Sequence, residues 1–141
     1  MSHLMGGKVS LELVKPHRYR AHYHIVVDEA CIGEIELDHI AWRSGEAELK
    51  IEIFDGEMRG LGYGTDAVIT LLRQAFLKMN LSRIYLRVQA CNRAALRCYE
   101  KAGFKKEGRL HRQTDQDTKE EIFLMGITRA QFLQGPHPQA V

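Results

Sequence analysis

A mixed fold of the α/β (α+β) class, a largely antiparallel sheet of six to seven strands with helices on its faces, follows from three observations along these 141 residues. The first half alternates apolar and polar side chains in four runs joined by short links. After a glycine-rich turn the apolar period lengthens from two to about 3.6, the change from strand to helix. Another strand pattern follows that helix, far enough along for a parallel crossover.

Residues 8–14 (Lys-Val-Ser-Leu-Glu-Leu-Val) alternate as a half-buried strand does. Residues 15–19 separate them from a second run over 20–28, which carries Tyr23, Ile25 and Val27. A third run covers 31–37, and after the Arg43-Ser-Gly-Glu turn a fourth covers 47–54. Links this short join antiparallel neighbours, so the first half reads as a meander. Val68, Leu71, Leu72, Ala75, Phe76 and Met79 then recur at helical spacing, giving an amphipathic helix from just after the glycines to near Asn80. Residues 83–89 return to strand pattern and can pair in parallel with 47–54 as one right-handed βαβ unit. Asn92 is placed to cap a second helix over 93–102, which Gly103 stops. Two last strands, 104–113 and 119–127, flank a polar turn at 114–118, and the chain after Phe132 reads as a loose tail. The reading is one domain over 1–141 with an ordered core at 8–133. Residues 1–7 are excluded from fold reasoning as a candidate expression remnant.

Composition is that of an ordinary globular chain, 45% hydrophobic and 27% charged. The net charge of +2, with Lys and Arg scattered, gives no case for nucleic acid. Cys31, Cys91 and Cys98 form no CxxC pair and no even framework, so reduced thiols are expected. No apolar run approaches the about 20 residues a membrane helix needs. A soluble cytoplasmic protein is the expectation.

The chain is organised around residues 48–65, where a strand turns into a helix and Gly60, Gly62 and Gly64 alternate just after Arg59. A helix mouth has four backbone N–H groups without intrahelical partners and about half a positive charge, which suits phosphate. The spacing G-x-G-x-G is not the dinucleotide fingerprint G-x-G-x-x-G, and no Lys precedes Thr65 as a P-loop requires. A glycine turn that binds nothing remains the competing reading of the glycines alone.

Other residues carry a resemblance. Arg59-Gly-Leu-Gly-Tyr-Gly64 resembles the R/Q-x-x-G-x-G/A segment of the GNAT superfamily of acyl-CoA-dependent N-acyltransferases. Asn92-Arg-Ala-Ala-Leu-Arg-Cys-Tyr99-Glu-Lys-Ala-Gly103-Phe104 resembles that family's N-x-x-A-x-x-x-Y-x-x-x-G-F helix. Ala47-Glu-Leu-Lys-Ile-Glu-Ile53 is similar to the splayed fourth strand of the branch that holds spermidine and ribosomal-protein-alanine acetyltransferases. The resemblance implies a GNAT-like fold and transfer of an acetyl group from acetyl-CoA to a primary amine (a small amine, polyamine or protein N-terminus) by direct attack through a tetrahedral intermediate. It implies a pyrophosphate seat on the amides of Gly60, Leu61, Gly62, Tyr63, Gly64 and Thr65, and a pantetheine track along Ile53 and Phe54. Arg59 would add a charge-assisted bond, Asn92 would bond the pantetheine as well as cap its helix, and Tyr99 would be the general acid. Arg93 and Arg97 are candidates for the 3′-phosphate, with ordinary surface arginines as the other reading. The alternative function is a non-catalytic acyl-CoA-binding module that keeps the cradle without a productive acceptor site.

The acid role has independent chemical sense, because a positioned phenol of pKa about 10 can protonate a departing thiolate of about 8.5. On the amine side, neutralising a lysine-like or polyamine amine at pH 7 costs about 4.6 kcal/mol, against about 1.1 for an α-amine. A base therefore matters more for a polyamine. The resemblance to the family's fourth strand makes Glu48 the first candidate, with Glu34 the second, each weighed against a solvated strand glutamate. Cys98 lacks an identifiable His partner and is rejected as nucleophile. His22 and His24 share a strand face without a third ligand, and no metal is expected. Family members usually carry a helix pair between the first two strands, where this chain has only residues 15–19. An open acceptor site, or a wall supplied by a second subunit, follows, and a homodimer is expected.

Overall fold

The computed structural model describes residues 3–54, 56 and 60–135. The strands are β1 (His3–Met5), β2 (Ser10–Leu13), β3 (Ala21–Val27), β4 (Ala30–Ala41), β5 (Glu46–Ile53), β6 (Arg83–Gln89), β7 (Lys105–Gln113) and β8 (Lys119–Thr128). The helices are α1 (Tyr63–Leu77), α2 (Arg93–Ala102) and α3 (Arg129–Gln134). All eight strands form one sheet in the order β1-β2-β3-β4-β5-β6-β8-β7.

The meander forms as expected. Asp28 and Glu29 both have positive φ, the two-residue turn whose twist suits the β3–β4 hairpin. The β2–β3 connection is a short turn closed by a bridge between His17 and Arg20 and pinned where Trp42 Nε1 donates to the Arg18 carbonyl at 2.7 Å. No helix pair intervenes.

β5 and β6 are the parallel pair, and they keep company for three rungs only, Glu46–Arg83, Ala47–Ile84 and Glu48–Tyr85. On its other edge β6 pairs with β8 along its whole length, from Arg83–Thr128 to Gln89–Ile122, while past Glu48 it has no further rung with β5. The sheet therefore splits open past Glu48. α1 lays Ala67, Val68, Leu71, Leu72, Ala75 and Phe76 on the core, where Leu11, Ile25, Ile35 and Leu37 of β2–β4 are fully buried. Burying side chains of this size contributes about 1.5–3 kcal/mol each.

Three expectations are corrected. The sheet has eight strands rather than six or seven, because β1 lies inside the excluded residues 1–7 and pairs with β2 through His3–Glu12, Leu4–Leu11 and Met5–Ser10. β4 does not stop at residue 37 but runs through Ala41 past a bulge at His39, whose φ is 52°. Order also continues past Phe132, where a loose tail was expected to begin: α3 runs to Gln134, and residues 136–141 lie outside the described residues. Thr128 and Gln131 close a capping box on α3, and Phe132 is fully buried against Phe76 with ring centroids 5.5 Å apart. Among the described residues no helix is long and apolar enough to cross a membrane.

Candidate active site

The split between β5 and β6 opens on a cleft of ≈ 440 Å³ bounded by the glycine turn, the mouth of α1 and one face of α2. Gly60, Gly62, Gly64, Thr65, Ile53, Asn92 and Tyr99 all line it. Gly62 is the N-cap of α1 and makes no side-chain cap, so the first-turn amides are not blocked by a side chain of that residue. Its φ of 84° lies in the left-handed region, where an L side chain is strained by roughly 1–2 kcal/mol. These features fit a diphosphate: bare amides, a helix dipole and no side chain at the cap.

α2 supplies the facing wall. Asn92 Oδ1 accepts from the Ala95 amide at 3.2 Å, so it caps α2 as expected while also facing the cleft. Seven residues on, Tyr99 is 8% exposed, with its ring edge-on to Phe104 at 5.9 Å. Burial, with the neighbouring Cys98 adding to it, pushes the Tyr99 hydroxyl well above the ordinary tyrosine range. It keeps its proton throughout the neutral range and is a weaker acid than a free phenol. Delivering that proton therefore requires the leaving thiolate to lie against it. Cys98 also lines the cleft. Its thiol is raised by burial, with a hydrogen bond from Thr65 and the charge of Lys101 acting the other way, which is not the environment of a nucleophile.

Not every expected residue is brought to this cleft. Phe54 faces elsewhere: its amide donates to the Ile32 carbonyl of β4 at 2.8 Å and its side chain is half-exposed. Strand alternation explains it, since adjacent residues point their backbone groups to opposite sides. Ile51 and Ile53, not Phe54, line the gap. Leu61 and Tyr63 do not line the cleft; Leu61 is half-exposed and Tyr63 packs on the core. Arg59 lies outside the described residues.

Glu48 is also absent from the lining, yet it occupies the last rung before the strands part. Its side chain is 5% exposed, and Arg87 reaches it with Nε at 3.1 Å; His39 Nε2 is 4.0 Å away.

A second cleft, ≈ 190 Å³, adjoins the first. Its lining, His22, Glu34, Ile35, Glu36, Lys50, Ile51 and Glu52, shares Ile51 and Glu52 with the larger one. It comes from facing rungs of three strands, His22–Glu36 across β3–β4, and Glu34–Glu52 and Glu36–Lys50 across β4–β5. Three carboxylates meet one lysine and one histidine there. Glu36 is paired with Arg20, His22 Nε2 lies 3.0 Å from Glu34, and Lys50 is drawn 3.2 Å from Asp38. Among the described residues Glu52 has no ion pair, and it is the carboxylate common to both clefts. Sequence reasoning named Glu34 but missed Glu36 and Glu52, whose only signal is a period of two. No group of three or more His, Cys, Asp or Glu that could hold a metal occurs among the described residues.

Comparison with known proteins agrees with this geometry. The family profile described as Acetyltransferase (GNAT) domain matches residues 8–105. The spermidine N(1)-acetyltransferase of Vibrio cholerae is 33% identical, over 84% of this chain and 71% of that one. The crystal structure of the Vibrio cholerae spermidine N-acetyltransferase in complex with CoA and spermine superposes with a TM-score of 0.75 at 27% identity, covering 83% of this chain and 70% of that one. A dodecameric structure of the Vibrio cholerae enzyme, at 26% identity, has the same TM-score of 0.75 and covers 85% of this chain and 71% of that one. The chain belongs to the GNAT acetyltransferase family and is an acetyl-CoA-dependent N-acetyltransferase acting on an amine.

Proposed function

We propose that this enzyme acetylates a primary amine of a small polycation, with spermidine-like polyamines as the acceptor class. The observation that carries the reading is the junction of the two clefts along Ile51 and Glu52: an amine held by the carboxylates of the smaller cleft lies next to the donor's end of the larger one. Several carboxylates on one wall favour a ligand with several positive charges over one with a single amine. The likeness to an enzyme whose solved complex holds CoA and spermine supports the same class.

In this reading the donor's diphosphate rests on the amides at the mouth of α1, and its arm lies in the gap that β6 leaves beside β5. The acceptor amine loses its proton to Glu48, through water, at the apex where the strands part. It attacks the thioester carbonyl; the C–S bond of the resulting tetrahedral adduct breaks, Tyr99 gives its proton to the departing sulfur, and the surplus proton on the new amide nitrogen restores Tyr99. Lys101 and Arg97, both on the cleft wall, are the cations for the donor's remaining phosphate. A homodimer belongs to the same reading, because the turn at 14–20 leaves the acidic face without a roof from its own chain.

The test is an acetyl-CoA titration by calorimetry, followed by thiol release with polyamines, N-terminal peptides and monoamines. The expected result is the highest kcat/KM on polyamines. Donor binding without release on any amine, or a preference for peptides, would overturn it.

A further inference from the structure

The entry to β2 brings a cation to the donor seat from the far end of the chain. Asp66, in the first turn of α1, accepts from three successive backbone amides, Gly7 at 3.1 Å, Lys8 at 2.7 Å and Val9 at 2.9 Å. The fit is close: a Cβ on Gly6 would stand 2.5 Å from both Asp66 Oδ2 and Thr70 Oγ1. This clamp fixes where the Lys8 side chain starts. From there Nζ donates to the Leu61 carbonyl at 3.1 Å and lies so close to the N-cap that a Cβ on Gly62 would be 2.7 Å from it. The ammonium therefore sits on the glycine turn itself, beside the amides at the mouth of α1.

Charge gives that position a meaning. Asp66 puts a negative group into the first turn of a helix whose mouth is to receive an anion. Three amides occupy its carboxylate, and the segment that supplies them also supplies a positive charge. A lysine ammonium has three donors, of which the Leu61 carbonyl takes one. The Lys8 side chain is exposed, so it can reach an incoming phosphate oxygen without being desolvated first.

We propose that Lys8 binds the diphosphate of the acyl donor, adding a point charge to a seat otherwise made of backbone amides. The inference rests on reading the mouth of α1 as the diphosphate seat, and its test separates the two. Lys8→Met and Lys8→Arg are compared with the wild type on acetyl-CoA and on S-acetylpantetheine, which has the thioester and the arm but no phosphate. Wild type should prefer acetyl-CoA strongly; equal use of the two donors would remove the seat itself. Lys8→Met should raise KM for acetyl-CoA about five- to tenfold, the range for one charge-assisted contact near a surface, and leave KM for S-acetylpantetheine within about twofold. Lys8→Arg should recover most of the loss. Equal weakening of both donors would make Lys8 a tie for the Leu61 loop and overturn the proposal, as would no change on either donor.

Discussion

The two clefts meet at Glu52 and are built by opposite means. The larger is made mostly of backbone: a helix mouth capped by a left-handed glycine, a strand released by its neighbour after three rungs, and an asparagine-capped helix opposite. The smaller is made of side chains from three strands, set side by side by register alone. A ligand read by backbone demands special residues at fixed spacing, because only glycine takes a φ of 84° without strain. A ligand read by side-chain charge demands only carboxylates on one face, and any solvent-facing sheet offers those. In the proposed assignment the donor is thus written into the chain as a motif, whereas the acceptor is written only in the fold.

The sharpest way to break that contrast is at Tyr99. Tyr99→Phe should lower turnover by about 10²-fold or more while calorimetry gives an unchanged acetyl-CoA affinity. Because burial raises its pKa, loss of the Tyr99 proton cannot cause a fall in rate below the ordinary tyrosine range near pH 10. A wild-type alkaline limb below that point, absent from Tyr99→Phe, would contradict the raised pKa, though not the acid role. Next come the glycines. Gly62→Ala combines the φ penalty with displacement of the Lys8 ammonium and should weaken acetyl-CoA about 10- to 30-fold. Gly60→Ala carries a similar φ, 79°, but meets nothing within 4 Å, so its loss should be several times smaller. Equal losses would mean that strain alone, and not the Lys8 contact, matters at this turn.

At the apex, Glu48→Gln should cost about tenfold in kcat on a polyamine and much less on an acceptor whose amine is largely neutral at pH 7. If Glu48 only anchors Arg87, thermal stability will fall and both acceptors will lose rate equally. The smallest effect belongs to the acidic wall. Glu52→Gln should raise KM for a polyamine about three- to fivefold and leave acetyl-CoA affinity alone, with Glu36→Gln weaker still because Arg20 already holds that carboxylate. A change in acetyl-CoA affinity in Glu52→Gln would show that the clefts cannot be assigned to separate substrates.

Legibility in the sequence followed the same division. Asn92 and the glycine turn were readable because capping and left-handed backbone restrict residue type, Tyr99 only through the family motif it resembles, and the period change located α1 and the parallel crossover. β1 was not readable, since three residues beside two glycines carry no period and its place comes from pairing with β2. The six-residue α3 spans under two turns, too short for a helical stripe, although Thr128 and Gln131 held the signal of its capping box. Phe54 was misplaced by the assumption that two consecutive residues could both face the gap; alternation allows one. Glu36 and Glu52 were hidden because nothing in a single strand says which rungs will face each other.

The Asp66 carboxylate has a consequence for how occupancy could be sensed. Its bonds to the amides of Gly7, Lys8 and Val9 are made by the same first helical turn whose own amides form the proposed donor seat. Stabilising that turn slows the local opening through which those three amides exchange with solvent. Their deuterium uptake becomes a built-in gauge of whether the donor seat is filled, read more than fifty residues away in sequence.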